Sequence, residues 1–296
     1  MTIPPLITPC ALERLPLCAM SAFCVSTGPG RVGLYHRENT QRARFIKKGA
    51  SLSFLSVAMA IMCGLLCWAQ VFAGPPFVTD DPEPVAYHHW EIYVASQIVQ
   101  NAYGVQGTFP HIEVNFGIAP ETQLHVIAPF AFSRDTSGAT SAGLGDIELG
   151  VKFRFIKEYP WFPQVGIFPH VLVPTGDTAK NIGTGRVQVF VPLWLQKSIG
   201  RFTTYGGGGI WTVPGRPDFD YWSFGAALQC EIAEPVTAGA EVFYNSAAPA
   251  APKEEVGVNA GAIINLNALH HLLMSVGTDA RGPNRFMMYA AYQLTL

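Results

Sequence analysis

The sequence predicts an all-β fold, a transmembrane antiparallel β-barrel of about twelve strands preceded by a cleaved signal peptide. Three observations carry this reading. First, "GDIELGVKFRF" at residues 145–155 puts Ile147, Leu149, Val151, Phe153 and Phe155 on one parity, and Asp146, Glu148, Lys152 and Arg154 on the other. Successive strand side chains point to opposite faces, so this segment divides an apolar medium from a polar one. Second, charged residues are 14% of the chain, against about 25% in an average soluble domain. Aromatics reach 12%, and there are 29 Gly and 23 Pro, a composition of many strands and turns with little surface for bulk water. Third, an uncharged run occupies residues 49–73, behind Arg42, Arg44, Lys47 and Lys48.

That run is the first element. A basic stretch, an apolar core and small residues at a cleavage point make a secretory signal, and Val71 with Ala73 supplies the last part before Gly74. Residues 1–48 form an N-terminal extension without either strand or helix period, and we expect translation to start downstream, near Val32. Five of the six cysteines, Cys10, Cys18, Cys24, Cys63 and Cys67, precede the expected mature chain. Residues 74–296 then keep only Cys230, which excludes a disulfide-stapled scaffold. Seven of the 19 basic and two of the 21 acidic residues also precede Gly74. The remaining 12 bases against 19 acids, with no basic run, argue against nucleic acid as a partner.

Within 74–296, period-2 alternation places strands near 88–99, 108–118, 122–133, 145–156, 163–174, 186–198, 202–212, 220–232, 236–244, 256–266, 270–279 and 285–296. A tilted membrane strand needs about 9–11 residues, and these lengths match. In the second strand Ile112, Val114 and Phe116 oppose Glu113 and Asn115. In the sixth, Val187, Val189, Val191, Leu193 and Leu195 form the apolar parity, and in the tenth Val256, Val258, Ala260 and Ala262 oppose Gly257, Asn259 and Gly261. The seventh, "TTYGGGGIW", is expected to bulge, to bend or to line a crowded lumen. The last keeps Met288, Ala290, Tyr292, Leu294 and Leu296 in register up to the final residue, so its edge needs the first strand as a cover. Short connections at 119–121, 157–162, 199–201, 233–235 and 267–269 alternate with longer ones at 134–144, 175–185, 213–219, 245–255 and 280–284. This is the rhythm of short periplasmic turns and long outer loops. Aromatics near strand ends, among them Trp90, Trp161, Trp194, Trp211, Trp222 and Phe243, are expected in interfacial girdles.

Several motifs carry less than they promise. His88-His89 and His270-His271 resemble metal ligands, but adjacent strand residues face apart, so each pair reads as interfacial or structural and no metal is expected. The Gly run at 206–209 and "GTGR" at 183–186 have no following Gly-Lys-Ser/Thr and are not phosphate loops. No Gly-x-Ser-x-Gly elbow occurs. The informative residues are the polar parities. Glu91, Glu113, Asn115, Asp146, Glu148, Lys152, Arg154, Gln164, His170, Glu231 and Glu241 are the candidates to line a lumen, whether as ion pairs filling it or as a selectivity-setting wall. Eight strands enclose a filled barrel and sixteen a water channel, so about twelve should leave a narrow, partly obstructed lumen.

Three stretches, "GPPFVTDDPEPVAYHHWEIYV", "IEVNFGIAPETQLHVIAPF" and "GLGDIELGVKFRF", resemble the outer-membrane transporter family named for the meta-pathway of phenol degradation. The likeness covers residues 75–296, with the specific motifs in the first half. Asp80, Asp81, Pro82, Glu91, Glu113, Asn115, Gly143, Gly145, Asp146, Glu148 and Lys152 match positions that recur in that family. The resemblance implies a barrel helping hydrophobic substrates across the outer membrane, and supplies no catalytic residues. Asp80-Asp81-Pro82 reads as a periplasmic plug or turn element.

The expected function is a Gram-negative outer-membrane channel or passive transporter for small, aromatic or hydrophobic solutes, with no enzyme activity and no cofactor. Its expected partners are outer-membrane lipid, the solute, and the barrel assembly machinery through the C-terminal strand. The alternative is a closed structural or interaction barrel working through its outer loops, with a barrel lipase-type enzyme as a distant third.

Overall fold

A computed structural model describes residues 76–248 and 253–296. The N-terminal extension and the signal peptide expected at 1–48 and 49–73 lie outside these residues. Twelve strands follow one another: β1 (Trp90–Asn101), β2 (Gly104–Ala119), β3 (Thr122–Asp135), β4 in two pieces (Thr140–Leu144 and Ile147–Ile156), β5 in two pieces (Gln164–Ile167 and His170–Val173), β6 (Gln188–Ile199), β7 (Phe202–Thr212), β8 (Tyr221–Ala233), β9 (Val236–Asn245), β10 (Glu255–Asn265), β11 (His270–Arg281) and β12 (Asn284–Thr295). Each pairs antiparallel with its chain neighbours. The ring closes because β1 also pairs with β12, from Glu91 opposite Thr295 to Asn101 opposite Asn284. At the seam Trp90 and Leu296 exchange two N–H to carbonyl bonds of 2.9 Å. The closed ring gives every strand a partner on both sides, which an apolar surrounding demands.

Alternation sorts the side chains. Leu149, Val151, Phe153 and Phe155 are exposed on the outer face of β4, while Lys152 between them is buried. The same split holds around the ring, with Val94, Ile112, Leu124, Val191, Val258, Met274 and Tyr292 outside, and Tyr93, Glu113, Gln123, Trp194, Asn259, Leu273 and Gln293 inside. The apolar side of the barrel is therefore its exterior. No helix among the described residues is long and apolar enough to cross a membrane, which leaves the strands as the spanning elements in any membrane reading.

The sequence expectations need correcting in four places. The strand expected at 145–156 starts earlier, at Thr140, and breaks at Gly145-Asp146. There the Gly145 N–H reaches back to the Pro129 carbonyl at 2.9 Å, and the Asp146 carboxylate takes the N–H groups of Gly176 and Thr184 at 2.9 and 2.7 Å. The strand expected at 163–174 breaks at Phe168-Pro169, because proline has no N–H for the ladder. Long connections expected at 134–144 and 280–284 shrink to 136–139 and 282–283, since the flanking strands keep pairing up to Arg134 opposite Thr140. In the first of these turns the Asp135 carboxylate accepts from the Ser137 and Ala139 N–H groups. Finally, β7 runs unbroken through its glycines, and Gly207 and Gly209 let it approach the Leu193 and Val191 carbonyls of β6, where a Cβ would come within 2.0 and 2.1 Å.

Candidate functional site

The barrel interior is not left to its wall. Residues 76–85 precede β1 and run inside the ring, bound in turn to strands far away in sequence. The Pro76 carbonyl accepts from the Ser275 hydroxyl of β11. The Glu241 carboxylate of β9 takes the Val78 N–H, the Thr79 N–H and the Thr79 hydroxyl at 2.8, 2.7 and 2.6 Å. Asp80 meets Lys152 of β4 at 3.0 Å, and Asp81, fully buried, lies 3.7 Å from the same ammonium. Glu83 gathers Arg154, Gln164 and Gln196 at 3.4, 3.2 and 3.2 Å, and the Val85 N–H ends on Gln123 at 2.8 Å. Wall glycines make room for it, since a Cβ on Gly225 would sit 2.1 Å from the Thr79 hydroxyl. Within this segment, Asp80-Asp81-Pro82, expected as a periplasmic plug or turn element, lies in the lumen against Lys152.

Two cavities flank the segment. One, of about 420 Å³, is lined by Asp80, Glu91, Glu113, Glu148, Lys152 and Tyr289, among others. The other, of about 360 Å³, opens toward the terminal end between Glu83, His89, Glu121 and Arg154. Glu83, Pro84, Val85 and Glu91 border both. The segment is thus the partition between two compartments of one lumen.

The first compartment is organised by strand register. Glu91 lies opposite Asn115, and Tyr93 opposite Glu113, so β1 and β2 place two carboxylates, a phenol and an amide on one inner patch. Tyr93 donates to Glu91 at 2.7 Å and Asn115 to Glu113 at 2.8 Å. With its NH₂ so engaged, Asn115 turns its oxygen to His125 Nδ1 at 2.7 Å, while His125 Nε2 faces Glu148 at 3.2 Å. Both ring nitrogens face acceptors, a pattern that only the doubly protonated ring satisfies. His170 Nδ1 reaches the same Glu148 oxygen at 3.1 Å and stacks on His125 with centroids 5.7 Å apart. Phe168 fills the corner, T-shaped to both imidazoles, with the Lys152 ammonium 4.7 Å from its centroid. Gly150 is why the ring fits, since a Cβ there would come within 2.9 Å of it.

The sequence candidates are therefore distributed among different tasks. Glu91, Glu113, Asn115, Glu148, Lys152 and His170 line the larger cavity. Arg154 lines the smaller one, where it binds Glu121 at 2.6 Å, and it also donates to the Gln164 amide oxygen at 2.6 Å. Glu241 anchors the inner segment, and Asp146 ties down a loop at the opposite end from the termini. Glu231 sits half-buried near the end of β8, where its N–H bonds the Arg201 carbonyl at 2.9 Å. Sequence reasoning missed His125, Tyr93, Gln123 and Tyr289, all on inner parities that the alternation of β1, β3 and β12 could have supplied. It also put Trp194, Phe243 and Trp211 in interfacial girdles, whereas Trp194 and Phe243 are 4% and 5% exposed, and Trp194 and Trp211 pack with Phe168 and Phe190 inside. The histidine pairs do not converge: His271 is buried against Asn265, while His270 meets Tyr292. No cluster of three or more metal-binding side chains occurs among the described residues.

Comparison with known proteins bears on the fold. No protein-family model matches the chain, and no curated protein aligns with it significantly. Among solved structures, an outer membrane channel from Pseudomonas putida F1 superposes with a TM-score of 0.55 at 17% identity, over 72% of this chain and 96% of its own. The KdgM porin superposes with a TM-score of 0.51 at 9% identity, over 69% and 98%. At such identities the likeness is one of architecture, and it places the chain among closed antiparallel barrels of the outer-membrane type.

Proposed function

We propose that this protein is an outer-membrane channel through which small solutes pass without energy input. The observation that carries this reading is the inversion of the ordinary soluble pattern: an apolar exterior around a closed ring, and carboxylates, amides and imidazoles within, bordering cavities large enough for a small molecule. The apolar belt faces lipid hydrocarbon, and its place is the Gram-negative outer membrane. The finer reading, passage of aromatic or hydrophobic compounds, rests on the resemblance to the phenol meta-pathway transporters and on Phe168, Trp211 and Tyr289 at the cavity wall. The C-terminal strand, paired with β1 to its end, is proposed as the element that the barrel assembly machinery recognises.

The inner segment favours a second reading, a closed barrel acting through its outer loops, because so many contacts hold it in place. Liposome swelling separates the two. Purified protein in lipid vesicles should admit small neutral solutes such as urea and exclude large sugars. A folded, heat-modifiable barrel that gives no swelling for any solute would leave only the structural reading.

A further inference from the structure

We propose that the larger cavity is a binding site for small organic cations, an ammonium group attached to an aromatic or apolar body. This deepens the channel reading by naming its solute class. The first ground is charge. Asp80, Asp81, Glu83, Glu91, Glu113 and Glu148 gather at the inner segment and the wall that faces it, against Lys152, Arg154 and the His125 imidazolium. Those three cations are already committed. Lys152 is held by the aspartates, Arg154 by Glu83 and Glu121, and His125 by Glu148, Glu113 and Asn115. Glu91, 6% exposed, has a phenol as its hydrogen-bond partner and no cation in contact among the described residues, while Glu113, 7% exposed, has an amide and shares the His125 ring at 3.6 Å with Glu148. A buried carboxylate without a fixed cation is costly, and an incoming ammonium relieves that cost.

The second ground is unmet hydrogen bonding. Asn259 borders the same cavity, is 7% exposed, and its Oδ1 has no partner, while its NH₂ is spent on Glu241. The Tyr289 hydroxyl, also at the cavity wall, is likewise without a partner. The Asn259 oxygen only accepts, so an N–H donor can use it and an anionic solute cannot, and the Tyr289 oxygen can accept from the same donor. The third ground is shape. The ring faces of Tyr289, Phe168 and Trp211 give the body of the solute an apolar wall, and cation–π attraction adds to it.

Calorimetric titration of the refolded protein in detergent, with benzylamine, benzyl alcohol and benzoate at neutral pH, tests the proposal. Benzylamine, cationic there, should bind about tenfold or more tighter than its neutral and anionic analogues. Glu91→Gln with Glu113→Gln should erase most of that preference while the heat-modifiable band persists. Equal binding of amine and alcohol, tighter binding of benzoate, or no binding of any of the three would overturn it, whatever the variants do. Swelling with urea on the same preparation reports separately on the channel: a barrel that swells without preferring the amine leaves the channel standing and removes the site, and one that prefers the amine without swelling does the reverse.

Discussion

Lys152, on the inner face of β4, meets Asp80 of the N-terminal segment at 3.0 Å, across 72 positions of sequence. The same ammonium lies 3.7 Å from the fully buried Asp81. One ammonium of the wall is therefore shared by two adjacent carboxylates that the chain carries into the lumen, and it is one of the anchors of the partition between the two cavities.

Replacing Lys152 by Met removes that charge and leaves both aspartates uncompensated. Loss of one partner from a buried pair costs about 3–5 kcal/mol, enough to unseat the segment without opening the ladder. In a Cys230→Ser background, a cysteine at Thr79 should react with a water-soluble maleimide in the Lys152→Met protein and stay protected in its parent, while the closed barrel survives in both. Protection in both proteins would show that the segment does not depend on this pair.

Glu241 holds the other end of the segment through three donors from Val78 and Thr79. Glu241→Ala strands these donors, and each buried group so abandoned costs about 1–3 kcal/mol. Hydrogen exchange across residues 76–85 should accelerate markedly, with Glu241→Gln intermediate and the amides of β9 themselves little changed.

The outer face obeys the opposite chemistry. Leu149→Arg or Val151→Arg puts a charge into the apolar belt, and near a bilayer midplane this costs about 2–4 kcal/mol. Urea unfolding from lipid vesicles should read that loss, whereas the same substitutions in a soluble sandwich would be tolerated at positions this exposed. Exchanging Lys152 and Arg154 for Glu has a less simple result than a selectivity change, because both residues bind the inner segment as well as facing the lumen.

At the terminal end, Glu121 lies in the turn between β2 and β3. Burial tends to raise its carboxyl, but hydrogen bonds from Lys157 and Arg154 outweigh it and hold the group below its ordinary value. A depressed folded value means that the contribution to stability is complete above the unfolded carboxyl value of about 4.3 and is lost as pH falls through the folded one. Unfolding of Glu121→Gln and its parent should differ at pH 7 and converge in acid. The difference should also shrink in high salt, since Lys157 is largely exposed.

The alternation of β4 was readable because it is local: one residue in two, each side chain answering only to its own face. So were the number of strands, the inner parity of Glu91, Glu113 and Lys152, and the need of the last strand for the first as its partner. The break at Phe168-Pro169 was half legible, since the proline was visible, but not that Phe168 would turn inward into the room left by Gly150. Trp194 and Phe243 were misplaced because an aromatic near a strand end was assigned to a girdle against the parity of its own strand.

What the sequence determined by itself was therefore the wall: a period of two repeated over twelve segments, oily on one face and polar on the other, has few other stable forms. What only the tertiary structure decided was the filling. Asp80 finds Lys152, Thr79 finds Glu241, and Ser275 finds the Pro76 carbonyl across 72, 162 and 199 positions. No periodicity encodes such meetings. They arise because closing the ring confines the segment among buried polar groups, each of which needs a partner, and the geometry of the closed barrel selects which ones it receives.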